Sequence, residues 1–282
     1  MGSDPVHRSL PRYGLLGLLT IAVSEIAMLL RVEPLWSWHT PIAWTGYILF
    51  VDAWVWKRRG NSWLNNGRAE FVFLAAASVP LWLVFEWYNK YFLHNWHYVN
   101  LPENLALRYF GYIWSFATIW PAIFETTELV ASFRKTPNGR RPSAVGVDAF
   151  GTWPSAFGIL VGLALLLWPI VWPSPYLAAP VWLGFIFLFD PVNRWLGAQT
   201  LTWRGAVNLA LAGVICGILW EFWNYWARTK WIYDVPILPQ WKIFEMPVLG
   251  YGGFPAFALE CFTMYVLLRR IIWRGADRPI SI

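Results

Sequence analysis

The sequence predicts an all-α integral membrane protein of about eight transmembrane helices. They form two tandem, parallel four-helix repeats with pseudo-twofold symmetry along the membrane normal. Three observations predict this. Hydrophobic residues make up 57% of the 282 residues and charged ones 13%, against about 25% charged in a soluble domain. The apolar residues gather into runs of membrane-spanning length. Rare polar residues inside those runs recur at constant offsets between the two halves.

A helix needs about 20 mostly apolar residues to cross the hydrocarbon core. Such runs lie at about 13–31, 40–57, 70–88, 108–133, 152–172, 177–195, 205–226 and 243–270. The long fourth and eighth runs contain Pro121 and Pro255, where kinks are expected. Asp190-Pro191 interrupts the sixth. The polar segment Met1 to Arg12 carries no cleavable signal pattern, so the first run is expected to remain a span.

The formal charge of +6 raises nucleic acid as a partner, but the basic residues fall between apolar runs and read as topology signals. Most of them, including Arg8, Arg12, Lys57 to Arg59, Arg134, Lys135, Arg140, Arg141, Arg269 and Arg270, fall on the side of the N-terminus. Both termini are therefore expected in the cytoplasm, in a multi-pass protein of the cell inner (plasma) membrane. Cys216 and Cys261, both inside apolar runs, imply no disulfide framework and read as small buried hydrophobes. The 23 tryptophans suit bilayer interfaces, and they suit the lining of a pocket for a polyene, a sterol or a cation.

The repeat rests on residue types that apolar runs do not share by chance. At one constant offset Glu86 meets Glu221, Asn89 meets Asn224, Trp96 meets Trp231, Tyr98 meets Tyr233 and Glu125 meets Glu260. At a slightly longer offset Trp44 meets Trp182, Gly46 meets Gly184 and Asp52 meets Asp190. The first unit is expected over 1–138 and the second over 139–282, joined by the basic loop Arg134 to Gly151. Each unit has an even number of spans, so both insert the same way up, the parallel-repeat arrangement.

Ionisable groups inside spans cost about 2.5–3.5 kcal/mol on insertion scales, so each is a functional candidate. Glu86, Glu221, Glu125 and Glu260 are the candidate catalytic acids, because a carboxyl kept neutral by burial is a proton donor. Asn89, Asn224, Trp96, Trp231, Tyr98, Tyr233, Asp52, Asp190 and Trp220 are the candidate substrate-binding residues. The alternative for the acids and amides is helix-to-helix hydrogen bonding. Glu25, Glu128 and Glu245 have no acidic counterpart. No nucleotide-binding loop, nucleophile elbow or metalloprotease motif occurs, so neither cofactor nor metal is expected. His94 and His97 could share one helical turn, where a metal site is the alternative to interfacial histidines that meet water. Gly250-Tyr251-Gly252-Gly253 lies inside the last run, where it allows close helix approach or a break near a ligand.

The segment Trp220-Glu221, Trp231-Ile232-Tyr233 and Pro247 resembles the repeat unit of the heterodimeric or fused membrane lycopene cyclases of carotenoid synthesis. Phe85-Glu86 and Trp96-His97-Tyr98 echo it in the first half. That family carries an acid pair after the proline, where this chain has Leu249 and Gly250; the nearest acid is Glu245. The resemblance implies an intramembrane isomerase or cyclase acting on a carotenoid or other isoprenoid. Three functions follow: an enzyme that protonates a double bond of a long apolar lipid, a scaffold or subunit that binds lipid or pigment, and a proton-coupled transporter. The bilayer and an apolar lipid or isoprenoid ligand are the expected partners, nucleic acid is not, and an oligomer or partner subunit is compatible with each.

Overall fold

Within lipid the backbone must satisfy its own N–H and C=O groups, and apolar runs do so as helices. The computed structural model describes residues 8–133, 155–273, 280 and 282. Its helices are α1 (Arg12–Leu29), α2 (His39–Arg59), α3 (Trp63–Asn66), α4 (Arg68–Tyr88), α5 (Leu105–Ala117) and α6 (Ile119–Phe133). After the loop come α7 (Ser155–Val171), α8 (Ala178–Trp195), α9 (Trp203–Trp226) and α10 (Gly253–Ile272). Among the described residues five segments are long and apolar enough to cross a membrane: Arg12–Leu29, Arg68–Leu93, Pro175–Trp195, Trp203–Trp226 and Val248–Ile272. The loop from Arg134 to Gly151, where the sequence puts the boundary between halves, lies outside the described residues.

Two expectations about the long runs need correction. The fourth run is two helices, α5 and α6, meeting at Thr118. The eighth opens with non-helical structure, and its helix starts at Gly253. Pro121 and Pro255 cause no mid-helix kink. Each is the third residue of its helix, where the backbone nitrogen has no partner within the helix. Asp190-Pro191 does not end the sixth run either, because α8 continues through it to Trp195.

The helices pack in matched sets. α1 lies along α2 and α7 along α8; α6 packs against α2 and α4, and α10 against α8 and α9; α6 and α9 meet in the centre. Glycines allow the two outer pairs to touch backbone to backbone. A Cβ on Gly17 would stand 2.5 Å from the Gly46 carbonyl oxygen, and one on Gly162 would stand 2.5 Å from the Leu188 nitrogen. α1 and α7 turn large apolar side chains outward, among them Leu15, Leu19, Leu160 and Leu167. α6 is buried almost throughout its first ten residues. Ion pairing of Arg269 in α10 with Glu70 in α4, at 2.5 Å, and the hydrogen bond from Trp223 in α9 to Glu25 in α1, at 2.9 Å, tie early elements to late ones.

Among the described residues four short strands are not legible as apolar runs: β1 (Trp96–Val99), β2 (Lys230–Tyr233), β3 (Lys242–Ile243) and β4 (Met246–Pro247). β3 and β4 form a hairpin whose turn includes Phe244 with φ 56. β1 and β2 pair antiparallel, with Trp96 opposite Tyr233, His97 opposite Ile232 and Tyr98 opposite Trp231. This register pairs the matched segments with each other: His97 lies opposite its own counterpart, and the flanking pairs exchange roles.

The close approaches set a test. Gly162→Val pushes Leu188 backbone aside and should cost about 1–3 kcal/mol, the usual range for overpacking. Gly252→Ala, where nothing lies within 4 Å of the new Cβ, should stay within about 0.5 kcal/mol of wild type. Unfolding in detergent measures both; equal losses would refute the close-packed α7–α8 contact.

Candidate functional site

The site grows from the ends of α4 and α9. Glu86 and Asn89, and likewise Glu221 and Asn224, are three residues apart and share a helix face. After α4 a π-helical turn over Asn89–Leu93 and His94, with φ 53, reverse the chain into β1. The Asn89 amide clamps that return. Its Oδ1 accepts from the Asn95 and Trp96 nitrogens at 2.7 and 3.1 Å, and its Nδ2 donates to the Trp96 carbonyl at 2.8 Å. Asn224 repeats the clamp on β2, accepting from the Trp231 nitrogen at 3.0 Å and donating to the Trp231 carbonyl at 2.9 Å.

Alternate residues of a strand share a face, so Trp96 and Tyr98 both reach back to α4. Glu86 Oε1 accepts from the Tyr98 hydroxyl at 2.6 Å, the Trp82 indole at 2.8 Å and the Trp96 indole at 3.2 Å. Glu221 Oε1 accepts from the Tyr233 hydroxyl at 2.9 Å. The two carboxyls thus hold equivalent tyrosines.

A cavity of about 260 Å³ lies against this ribbon, and both halves line it. Trp96, Tyr98, Trp231 and Tyr233 come from β1 and β2; Trp44, Trp82, Trp182, Trp220 and Phe257 come from the helices. Their rings touch in series. Trp82 and Trp220 are 5.6 Å apart, Trp220 and Trp231 5.4 Å, and Trp82 and Phe257 5.7 Å, each about the spacing at which aromatic pairs attract. Gly253 is needed here, because a Cβ on it would stand 2.2 Å from the Trp182 ring. The two cations on the lining are Arg108 and Lys230. Lys230 is ion-paired with Glu245 at 2.5 Å.

The expected site residues divide into three groups. Trp96, Tyr98, Trp220, Trp231 and Tyr233 line the cavity. Glu86 and Glu221 stand behind them, in contact through the tyrosines, while Asn89 and Asn224 use their amides to hold the ribbon. The remaining acids are not on the cavity lining. Asp52 accepts from the Tyr13 and Ser62 hydroxyls at 2.6 and 2.9 Å and from the Leu64 nitrogen at 2.9 Å. Asp190 accepts from the Leu201 nitrogen at 2.7 Å, so both aspartates hold the turn that precedes the next long helix. Glu125 is fully buried near Asp52 and Glu128. Glu260 is fully buried, and neither of its carboxyl oxygens makes a hydrogen bond.

Other expectations shift as well. His94 and His97 do not share a helical turn; His97 is in β1 and contacts Asp234 at 2.5 Å. Glu245 and Pro247 belong to the β3–β4 hairpin and do not open the last helix. The Gly250 to Gly253 segment leads into that helix as a 3₁₀ turn, and Gly250 and Gly253 line the cavity. Cys216 and Cys261 are free and buried. Among the described residues no three His, Cys, Asp or Glu side chains come together as a metal site. Sequence reasoning missed Trp82, Phe257 and Arg108 as lining residues. Trp44 and Trp182 carried a signal, since they match across the halves.

Fold and site define a helical, membrane-type protein with an aromatic cavity closed on one side by a two-stranded ribbon. No protein-family model, curated protein or solved structure matches the chain.

Removing an Asn clamp frees backbone donors and acceptors at the ribbon. Asn89→Ala and Asn224→Ala should each cost about 1–3 kcal/mol and speed amide exchange at Trp96 and Trp231; unchanged exchange would refute the clamp. Burial first, and then the neighbouring Glu86 or Glu221, hold the Tyr98 and Tyr233 phenols well above their ordinary value of 10.0. The fold therefore favours the neutral phenols. That contribution is complete below pH 10 and is lost as pH rises through the folded-state values. In tyrosinate absorbance, Tyr98→Phe and Tyr233→Phe should each remove one tyrosine from the set that ionises only when the protein unfolds in alkali.

Proposed function

We propose that this protein is an intramembrane enzyme that acts on an isoprenoid, a carotenoid or a similar long apolar lipid by acid chemistry. The observation that carries the reading is the contact of two carboxyls with an aromatic cavity through Tyr98 and Tyr233. In the proposed step the neutral glutamic acid is the proton source: the tyrosine hydroxyl turns from the carboxyl to the double bond, gives its proton to one carbon and accepts the carboxyl proton in its place. The other carbon becomes cationic, and the indole faces of Trp44, Trp82, Trp220 and Trp231 stabilise it. Loss of a proton from a neighbouring carbon to a carboxylate restores the site, so the net reaction is an isomerisation or cyclisation. This agrees with the lycopene-cyclase resemblance of Trp220, Glu221, Trp231 and Tyr233.

In this reading all eight apolar runs cross the membrane, α5 and α6 together forming the fourth, and both termini face the cytoplasm of a cell inner membrane. The chain is a duplicated four-span unit related by a pseudo-twofold axis along the membrane normal. The self-matched β1–β2 register supports that axis, which would pass through the His97–Ile232 pair. The ribbon then lies on the outer side. Glu125 and Glu260, remote from the cavity lining, serve the packing of α6 and α10 and carry no chemical step.

A second reading, a scaffold or subunit that binds lipid or pigment without turnover, is favoured by one observation: neither Glu86 nor Glu221 is itself on the cavity lining. Substitution separates the two. Glu221→Gln and Tyr233→Phe should each lower turnover of the host lipid about 10²–10⁴-fold, the usual worth of a general acid, with lipid still co-purifying. Extracted lipid identified by mass spectrometry, together with an unchanged host lipid profile in both variants, would replace the enzyme with the scaffold.

A further inference from the structure

The polar groups on the cavity lining are mostly donors. Of its two cations Lys230 already pairs with Glu245 at 2.5 Å. Arg108, in α5, donates through Nε to the Pro102 carbonyl at 2.9 Å and has no carboxylate in ion-pair range among the described residues. Among the described residues no acid lines the cavity. Asn95, 2% exposed, lacks a hydrogen-bond partner at both ends of its side-chain amide, and Thr40, 7% exposed, lacks one at its hydroxyl. The indole nitrogen of Trp38 is also buried without a partner. All three of these residues are on the lining. Gly111 is one helical turn from Arg108 and so on the same face of α5. A Cβ on Gly111 would stand 3.5 Å from Trp38 Nε1, so guanidinium and indole donor lie on one side of the cavity.

A wholly apolar lipid offers these donors nothing. An oxyanion accepts from several N–H and O–H groups at once, and a guanidinium is the side chain best shaped to hold one. We infer that the cavity takes an amphiphile whose chain lies among the indoles and whose oxyanion head, a phosphate or a carboxylate, is bound by Arg108 beside Trp38. This rests on the lipid reading of the same cavity and specifies the substrate class as an anionic, single-headed lipid.

Quenching of tryptophan fluorescence in detergent tests it, with geranylgeranyl phosphate, geranylgeraniol and palmitate as probes. Wild type should bind the phosphate at least about tenfold more tightly than the alcohol, the scale of one charge-assisted contact. Arg108→Gln should lose that preference while its affinity for the alcohol is kept, Arg108→Lys should recover part of it, and Lys90→Gln, at an exposed cation off the cavity lining, should behave as wild type. Palmitate bound more tightly than the phosphate would assign the head as a carboxylate; the reverse order would assign a phosphate. Equal affinity of wild type for phosphate and alcohol, or a preference that survives Arg108→Gln, overturns the inference and leaves the apolar-lipid function standing. Failure of all three probes to bind overturns both.

Discussion

Pairing of Trp96–Val99 with Lys230–Tyr233 is the interaction on which the cavity depends. Each segment leaves the end of a long helix and would otherwise present an unpaired strand edge. Together they satisfy one another, and Asn89 and Asn224 satisfy the turns that lead in. The register then decides which side chains face α4 and α9. A slip of one residue would turn every side chain to the opposite face, taking Tyr98 from Glu86 and Tyr233 from Glu221 and dismantling the ribbon's share of the aromatic wall.

Beneath the ribbon, close packing does the positioning. Small residues let α1 approach α2, and α7 approach α8, without a strong hydrophobic force between helices in lipid. The central helices carry the polar load. Thr126 and Thr127 give their hydroxyls back to the carbonyls of Ala122 and Ile123, while Trp120 reaches the Cys261 carbonyl at 2.8 Å. The Glu70–Arg269 pair is weak evidence for stability, because desolvation offsets much of the attraction. Its geometric consequence is firmer: it joins the start of α4 to the end of α10. Glu33 with Arg228, and Trp36 with the Trp226 carbonyl, make a comparable join near the ribbon.

Positions that match between the halves in sequence differ in their surroundings. Where the first has Trp82, the second has Gly217, and Phe254 fills the space; a Cβ on Gly217 would stand 2.2 Å from that ring. Glu86 accepts three donors through one oxygen and Glu221 Oε1 accepts from Tyr233. His97 meets Asp234, while its counterpart Ile232 offers no such group. Arg108 and the β3–β4 hairpin add further asymmetry.

Helical segments, their apolar faces and the rare polar residues that match between halves were all readable from the sequence. Hydropathy and spacing are local properties, and a carboxyl or amide in an apolar run is conspicuous wherever it points. The sequence also singled out Trp96, Tyr98, Trp231 and Tyr233, because the repeat marked them. Which acids reach the cavity was not readable, since depth along a helix does not tell which neighbour the side chain meets. Asp52 and Asp190 hold turns, and Glu125 and Glu260 are buried between helices, by virtue of contacts with distant parts of the chain. The break at Thr118 escaped notice because an apolar composition suits one helix or two. The ribbon escaped for a related reason: four residues of ordinary composition become a strand only when a partner strand, far away in sequence, is held beside them.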